Sequence, residues 1–392
     1  MTSHYAPKTF LRQTSNDLLR QCFTGKGALS DLPWDEIGEH EIDDVYEGWQ
    51  ELPDEERVAF ERCFEDTEEL SNDQGIRAII EEGQFHGLDL APILTEIEGH
   101  RNKVMWVALN HPHVFEVAGI INRAHTLPQR YWRRRNHMPL EQPNVSENAV
   151  NAFAHAIGAY YRQNQGRGHR CTVDAYLRVN RYHYFFAYPD DYANTYLGHD
   201  EEGQFIRRPQ KPAFEVIFIF DPEDGALDIF AQGGKEVHEA LQTIFCRNLL
   251  GQELPPELPH QHPFELNGLK SRNFGFPTDP EDGVELVRVR KLRLSVLGGS
   301  KRRITLEGDP DAGAGEVYDM MDEYLDRENV PDTLINVTQA TLNFKFVHAG
   351  NGRQQTLTFD ISFPNSSNLK SKREELRVVA EKYLKRWGID RA

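Results

Sequence analysis

The spacing between successive hydrophobic residues changes from about 3.6 residues to 2 residues near residue 172. This change indicates which part of the chain forms helices and which part forms strands. Before it, apolar residues recur three and four positions apart, as Phe60 and Phe64 do. After it, Tyr182, Tyr184 and Phe186 fall on alternate positions. Spacing of the first kind is typical of amphipathic helices and alternation is typical of strands. We therefore expect a helical first part followed by a part rich in strands.

The strand-rich part repeats one pattern three times, over residues 213–250, 284–328 and 334–389. Each repeat has two alternating apolar runs joined by a glycine-containing turn, and then a helical run. A single ββα unit cannot bury one face of its sheet alone. We therefore expect the three units to share one antiparallel sheet that is covered by helices on one side.

These patterns predict an α+β protein of two domains. The first, residues 1–170, is an acidic helical domain that ends in a basic segment, and the second, residues 171–392, is an α+β domain of three ββα units. The pentapeptide Asp-Pro-Glu-Asp-Gly occurs at 221–225 and again at 279–283. Because turns favour these residue types, convergent turn chemistry explains the repeat, which does not by itself indicate duplication.

Charge is unevenly distributed along the chain, whose formal net charge is −18. Residues 1–100 carry 24 acidic and 7 basic side chains, whereas residues 101–181 carry 4 acidic and 12 basic ones. The acidic segment is explained either by solvated helix faces or by a face that docks a basic partner, including the chain's own basic segment. The total charge disfavours indiscriminate binding to nucleic acid, because the summed field repels phosphate.

Composition and the cysteine pattern exclude several classes. A mean hydropathy of −0.63 and the lack of a long apolar run argue against a membrane span. The first residues lack the apolar core and cleavage site of a secretory signal. The four cysteines, Cys22, Cys63, Cys171 and Cys246, are far apart in sequence, so we expect no disulfide framework and a cytoplasmic location.

No decisive catalytic or cofactor motif is present. Gly233-Gly234-Lys235 and the segment 298–301 bring glycine next to lysine but do not satisfy the P-loop pattern. The pairs His111-Pro-His113 and His260-Gln-His262 lack a third metal ligand nearby. Asp190 and Asp191 are paired carboxylates that could bind a cation, although after Pro189 they also suit a turn. We expect no cofactor and no metal.

The basic segment contains the strongest functional signal. Arginine forms bidentate bonds with phosphate, and aromatic rings offer stacking surfaces for unpaired bases. The predicted nucleic-acid-binding residues are Arg130, Trp132, Arg133, Arg134, Arg135, Arg162, Arg167 and Arg170. The alternative is intramolecular: these cations pair with the acidic segment or complement helix C-termini. A second basic row, from Arg288 to Arg293, shares one strand face only if a bulge intervenes.

Two stretches of sequence resemble a known group of proteins. They are Phe10–Gln13, Asn16–Leu19, Trp34, Trp49–Pro53 and Arg57 near the start, and Lys211–Phe218 later. The chain resembles an uncharacterised bacterial protein family associated with mobile-element and phage-defence gene clusters. The resemblance covers most of the chain and brings no catalytic residues with it. It implies a bacterial cytoplasmic accessory protein of antiviral defence.

We therefore expect a non-enzymatic component of a bacterial antiviral system that binds nucleic acid or a partner protein. Other proteins of the same system are the expected partners, with DNA or RNA as further ones and no membrane. One alternative is a metal-dependent nuclease or hydrolase with an unfamiliar site on the sheet. Another is a protein–protein scaffold that docks through the acidic first domain.

Overall fold

The chain divides into two units, Met1–Leu127 and Pro128–Ala392. Both are seen in a computed structural model, which describes residues 5–178, 182–200, 203–256, 262–297, 302–309, 313–347, 355–369, 372 and 374–391. The model is α+β, with a helical first part and a strand-rich second part, as the sequence predicts.

In its described residues the first unit contains helices and connecting loops but no strand. Its helices are α1 (Pro7–Arg12), α2 (Asn16–Gly25), α3 (Asp43–Gln50), α4 (Asp54–Leu70), α5 (Asp73–Phe85), α6 (Ala91–Glu96), α7 (His100–Asn110) and α8 (Pro112–Thr126). Phe60 and Phe64 lie on one stripe of α4 and pack with Phe23 in one buried cluster. A second cluster forms around Ile79 and Val107. The unit therefore has its own core.

The helix starts of this unit differ in how they are capped. Asn72 precedes α5, and its Oδ1 accepts hydrogen bonds from the backbone N–H groups of Gln74 and Gly75, both at 3.0 Å. Ser15 precedes α2, but its side chain makes no capping bond. Since a capping side chain satisfies N–H groups that have no partner in the helix, α5 is the better-capped helix of the two.

The described residues of the second unit form two five-stranded antiparallel sheets and a separate two-stranded ribbon. The first sheet has the order β1-β7-β6-β3-β2 and the second has the order β12-β11-β10-β8-β9. The strands are β1 (Trp132–Arg135), β2 (Cys171–Arg178), β3 (Tyr182–Pro189), β4 (Asn194–His199), β5 (Phe205–Gln210), β6 (Val216–Asp221), β7 (Ala226–Phe230), β8 (Val284–Val296), β9 (Arg302–Glu307), β10 (Ile335–Phe346), β11 (Thr356–Ser362) and β12 (Ser366–Ser367).

Four helices pack against these sheets. They are α9 (Glu147–Gln165), α10 (Lys235–Phe245), α11 (Glu316–Tyr324) and α12 (Glu374–Arg386). Phe153 of α9 and Phe245 of α10 meet Phe218 of β6 in the core of the first sheet. The core of the second sheet forms around Leu342 and Phe344, with α11 and α12 against it. Each sheet is thus stabilised by its own layer of helices.

The three predicted ββα units are present, but they do not share one sheet. The first, β6-β7-α10, belongs to the first sheet, whereas β8-β9-α11 and β10-β11-α12 belong to the second. The reason is strand pairing: β6 pairs with the aromatic strand β3, and β7 pairs with β1. Earlier strands therefore take the positions beside the first unit that the later units were expected to fill. The predicted turns at 298–301 and 350–352 lie outside the described residues.

The division between the units falls at residue 127, while the sequence pattern placed a domain boundary at residue 170. The segment between these positions contributes β1 and α9 to the first sheet and its core. Tyr161 of α9 is fully buried there and makes an edge contact with Phe214. Helical periodicity alone assigned α9 to the helical domain, because the period does not reveal which core a helix joins.

Within the part of the chain that the structure describes, the ribbon of β4 and β5 pairs with neither sheet. Its side chains are mostly exposed, and two of them are large apolar ones, Leu197 and Phe205, at 60% and 55% exposure. Arg208 lies over the Tyr196 ring, with 4.9 Å between the guanidinium carbon and the ring centroid.

No helix in the described ranges is long and apolar enough to cross a membrane.

Candidate nucleic-acid interface

Strand β1 carries three consecutive arginines at an edge of the first sheet. It pairs antiparallel with β7, so that Arg133 lies opposite Ile229 and Arg134 lies opposite Asp228. Side chains alternate along a strand, and Arg133 and Arg135 therefore share one face while Arg134 points to the other. The three arginines predicted as one basic group consequently meet different surroundings.

Arg134 is a structural residue. Its Nη2 lies 3.5 Å from Oδ2 of Asp390, and its Nε donates to Oδ1 of Asn136 at 2.9 Å. Burial by itself lowers the pKa of Arg134, but the carboxylates of Asp390 and Asp228 outweigh it and raise the pKa above its usual range. Because both partners of the ion pair are nearly inaccessible, Arg134 contributes to the fold and is poorly placed to meet an external phosphate.

Arg135 is also committed within the fold. Its side chain is buried, and its Nη2 donates to the carbonyl oxygen of Pro255 at 2.6 Å. This bond ties β1 to the loop that follows α10. Arg134 and Arg135 are thus engaged within the fold, but the partners named here are in the second unit and not in the acidic segment that the intramolecular alternative proposed.

Arg133 differs from its two neighbours. Its Nη1 donates to two backbone carbonyl oxygens, of Arg130 at 2.9 Å and of Trp132 at 2.7 Å. Within the described residues it forms no ion pair with a carboxylate. Burial lowers the pKa of Arg133, which means that the folded protein stabilises its charge less than water does. An anion bound at Arg133 would compensate for this loss of hydration.

A cavity of about 300 Å³ opens beside Arg133. One wall is β1, a second is the first two turns of α10, and a third is the segment Pro364–Asn365. The walls are held together by a backbone bond, since the Arg134 N–H donates to the carbonyl oxygen of Asn365 at 2.8 Å. The lining residues are Arg133, Arg134, Arg135, Gly234, Lys235, His238, Glu239, Gln242, His262, Pro364 and Asn365.

The N-terminus of α10 forms part of this cavity. No side chain caps the helix, and a Cβ atom built on Gly234 would meet nothing within 4 Å. Lys235 follows in the first turn and lies 3.3 Å from Glu239, but this ion pair is exposed and therefore weak. Free N–H groups and the positive end of the helix dipole favour an anion here.

His238 and Gln242 are buried uncharged polar residues that α10 contributes to the cavity wall. Each is only 4% exposed. In the described part of the chain, Nδ1 of His238 and Oε1 of Gln242 have no hydrogen-bond partner. Burial and the nearby charge of Arg133 lower the pKa of His238 to about 4. The imidazole is therefore neutral at neutral pH, and its unprotonated nitrogen can only accept a hydrogen bond.

Arg130 and Trp132 flank the cavity without lining it. Arg130 is exposed, and its guanidinium carbon lies 4.7 Å from the centroid of the Tyr131 ring. Trp132 is half-buried and packs against Phe230 at 5.5 Å between ring centroids. The predicted aromatic surface is thus partly used in packing β1 onto β7.

Arg162, Arg167 and Arg170 lie elsewhere. They are at the end of α9 and the start of β2, which is the edge of the first sheet opposite β1. Four strand spacings separate the two edges, or about 19 Å. The predicted binding residues therefore form two separate groups and not one continuous surface.

Within the second group, Arg167 is fixed in place. Its Nη1 donates to Oδ1 of Asp191 at 2.8 Å, and its guanidinium carbon lies 3.8 Å from the centroid of the Phe214 ring. Asp190 accepts a bond from the backbone N–H of Arg170. Arg162 and Arg170 have exposed side chains. The carboxylates considered as a cation site thus hold this loop together.

The second basic row shares a face because of a bulge. The pairing of β8 with β10 shifts by one residue at Arg290, which brings Arg288, Lys291 and Arg293 to the same side. Two of them are engaged: Arg288 Nε donates to Oδ1 of Asn343 at 3.0 Å, and Lys291 lies 3.5 Å from Glu307. This row is therefore less suited to an external ligand than Arg133 is.

Neither histidine pair forms a metal site in the described ranges. The His111 ring contacts Trp106 and the His113 ring contacts His86, while His260 lies outside those ranges. More generally, the described residues contain no group of three or more His, Cys, Asp or Glu side chains that could hold a metal ion.

Sequence reasoning singled out Arg133 but missed His238, Gln242 and Lys235. For Lys235 the signal is its position after Gly233-Gly234 at the start of a helix, although the segment does not satisfy the P-loop pattern. No protein-family model matches the sequence, and neither does any curated protein.

Proposed function

We propose that this protein is a non-enzymatic, cytoplasmic component of a bacterial antiviral defence system, and that it binds nucleic acid at the cavity beside Arg133. The resemblance described above supports the biological setting. Other proteins of the same system would then be its partners. The cavity supports the ligand class, because its rim combines arginine, lysine and an open helix N-terminus, all of which favour phosphate.

Arg133 is the observation on which this proposal rests. It is a half-buried cation that bonds only to backbone carbonyl oxygens in the described residues. A phosphate at this position would replace lost hydration with charge-assisted hydrogen bonds. Arg134 lacks this property because Asp390 already neutralises it.

The net charge of the protein sets the expected character of binding. Because the protein has a net charge of −18, its overall electric field contributes little to the binding of a long polyanion. Only a phosphate or two close to Arg133 and Lys235 would then be neutralised. For a single strand the logarithm of the binding constant should consequently fall with the logarithm of salt concentration with a slope of about −1.

Fluorescence anisotropy with labelled single-stranded DNA, duplex DNA and single-stranded RNA tests the proposal. We expect binding at low salt that weakens with the shallow slope given above. Arg133→Ala should reduce affinity about 10-fold, which corresponds to one lost charge-assisted contact. The matched controls are Arg162→Ala and Arg170→Ala, which remove exposed arginines at the opposite sheet edge and should leave affinity unchanged.

Several results would contradict the proposal. One is the absence of binding to any of the three nucleic acids at about 50 mM salt. Another is an equal loss of affinity in the control variants and in Arg133→Ala. Degradation of the probe with Mg²⁺ or Mn²⁺ would instead favour the nuclease alternative and overturn the non-enzymatic assignment.

A further inference from the structure

Of the two edges of the first sheet, β2 is the one that the described residues leave open. At the opposite edge, the backbone N–H of Arg134 in β1 already donates to the carbonyl oxygen of Asn365 at 2.8 Å. In the described ranges, β2 has β3 as its single strand neighbour. A strand edge presents a row of N–H and C=O groups that can pair with a further strand. The first sheet can therefore be extended at β2.

The hydrogen bonds between β2 and β3 show which backbone groups face outward. Arg170 and Asp190 continue the register of these two strands, and the N–H of Asp190 donates to the carbonyl oxygen of Arg170 at 2.8 Å. Residues that bond to the neighbour alternate along an edge strand with residues that face away from it, so the even-numbered residues of β2 bond to β3. The N–H and C=O groups of Val173, Ala175 and Leu177 consequently point away from the sheet.

The same three residues have apolar side chains on the face of the sheet that α9 covers. Because alternate residues share a face, Ala175 and Leu177 lie on the side of Val173, which packs against the core that α9 helps to form. Ala175 is nevertheless exposed, and Leu177 is 41% exposed. These two side chains thus lie at the margin of the core, where a further strand beside β2 would bury them.

Helix α9 adds an uncharged surface next to this edge. Between Glu147 and Arg162 it contains no Asp, Glu, Lys or Arg over about four turns, although 27% of the chain is charged. The helix lies against β2. Depletion of charged residues distinguishes the centre of a protein interface from the remaining surface. The exposed side chains in this stretch are Asn148, Asn151, Ala152 and His155.

A second copy of the chain fits this edge in one register. A two-fold axis perpendicular to the sheet sets one residue of β2 opposite its own copy. Centring on Asp174 would place two carboxylates directly opposite each other, which is unfavourable. Centring on Val173 would leave Leu177 without an opposing residue of β2. Centring on Ala175 pairs Val173 of each copy with Leu177 of the other and would form about six backbone hydrogen bonds.

We infer that two copies of the chain associate through β2, antiparallel and centred on Ala175, so that the first sheet continues from one copy into the other. The two α9 helices then lie on the same face, on either side of the two-fold axis. This association goes beyond the proposed function and does not depend on it. Two strand edges and two helix stripes form less than a standard interface, so we expect a weak dimer with a dissociation constant on the order of 10 μM.

Sedimentation velocity of the full chain at concentrations from about 1 to 200 μM measures this association. Raising the salt concentration from about 50 to 300 mM should tighten the dimer severalfold, because salt screens the repulsion between two copies of net charge −18 and this register opposes no two charges. A chain that stays monomeric throughout would overturn the inference and leave the edge to an extended segment of another protein. A dimer that weakens with salt would also overturn it, since that result indicates contact through the acidic segment.

Two cysteine variants test the register. In Ala175→Cys the new side chains would face each other with about 5.5 Å between their Cα atoms, which suits a disulfide. Oxidation by copper–phenanthroline in air should therefore produce a covalent dimer. The matched control is Thr172→Cys, an exposed position of the same strand whose two copies would be about 20 Å apart. As much covalent dimer in Thr172→Cys, or in the wild type, as in Ala175→Cys would contradict the register.

A charge placed at the edge tests the surface itself. Ala175→Lys uses a device by which natural edge strands avoid pairing, and we expect it to weaken the dimer about 10-fold or more. Its control is Ala59→Lys, which adds the same charge at an exposed alanine of α4 and should leave the dimer nearly unchanged. Equal effects of the two substitutions would overturn the inference. If Ala175→Lys does not fold, as judged by circular dichroism, the two cysteine variants decide.

Discussion

Arg133 and Arg134 are neighbours on one strand, yet they face opposite electrostatic surroundings. Arg134 is stabilised by Asp390 and Asp228, whereas Arg133 is held by backbone carbonyl oxygens and loses hydration. Strand alternation explains the difference, because it sends consecutive side chains to opposite faces. A cluster of arginines in a sequence therefore does not specify how many of them can meet a ligand.

The repeated pentapeptide offers a matched pair of glycines. Gly225 and Gly283 both have a positive φ, +59° and +62°, but a Cβ on Gly225 would lie 2.6 Å from the backbone oxygen of Met138, and one on Gly283 would meet nothing. We expect Gly283→Ala to lower the free energy of unfolding by about 1 kcal/mol, because the left-handed backbone conformation at this position is unfavourable for alanine. Gly225→Ala should cost about 3 kcal/mol because a backbone clash is added.

Urea unfolding followed by tryptophan fluorescence measures both variants. Equal losses of stability would contradict the expectation, since they would mean that Met138 yields to the added methyl group. The comparison is internally controlled because the two substitutions change the same residue in the same five-residue context.

His238 gives the molecule a defined dependence of stability on pH. Its pKa is about 4 when folded, mainly because of burial and then because of Arg133, and near 6.5 when unfolded. The unfolded state therefore binds the proton more tightly. The stabilising contribution is fully present above pH 6.5 and is lost as the pH falls toward 4, by up to about 3 kcal/mol.

Replacing His238 isolates this contribution. In His238→Asn the difference in unfolding free energy between pH 7 and pH 4.5 should be smaller than in the wild-type protein. Urea titrations at the two pH values provide the measurement. A pH dependence identical to that of the wild type would show that other groups cause the acid sensitivity.

At the scale of elements, a residue in the N-cap position of a helix does not always make a capping hydrogen bond. Ser15 and Asn72 both precede helices, but only Asn72 bonds to the first turn of its helix. Asn72→Ala should lower the free energy of unfolding by about 1 kcal/mol, and Ser15→Ala should change it much less. Thermal unfolding of the two variants tests this expectation, which fails if Ser15→Ala is the more damaging substitution.

The ribbon of β4 and β5 is the element with the least support. Two strands without a third strand or a packed helix are marginally stable in water. We expect its amides to exchange with deuterium at least about 100-fold faster than those of β6, which is buried along its whole length. Hydrogen-exchange mass spectrometry resolves the two segments. Comparable protection would mean that something covers the ribbon in solution.

Sequence periodicity predicted elements well and their assembly less well. The first part is helical, as expected, and all three ββα units are present. Periodicity does not predict which strands pair. In the structure β1 pairs with β7 and β3 pairs with β6, at positions where strands of the later units were expected. Periodicity also does not reveal that His238 and Gln242 line a cavity together with a strand about 100 residues earlier.

At the scale of the whole molecule, the boundary at residue 127 makes a prediction about fragments. A fragment of residues 128–392 retains both sheets and both of their cores, and we expect it to unfold cooperatively. A fragment of residues 171–392 lacks β1 and α9. It should lose the fixed tertiary structure of the first sheet, because Phe153, Ile157 and Tyr161 are missing from that core.

Near-UV circular dichroism of the two fragments tests this boundary. A native-like signal and a sharp unfolding transition in the 171–392 fragment would restore the division at residue 170. The 128–392 fragment is the control, since it differs only by the segment in question.

The pairing of β1 with β7 also determines when the cavity can form. Trp132 pairs with Phe230, a partner that lies about 100 residues later in the chain. During synthesis at about 5–20 residues per second, β1 leaves the ribosome roughly 5 to 20 seconds before its partner strand exists. A contact of such sequence separation is also slow to close. A nascent chain therefore lacks the complete cavity until α10 and then the segment Pro364–Asn365 have been synthesised.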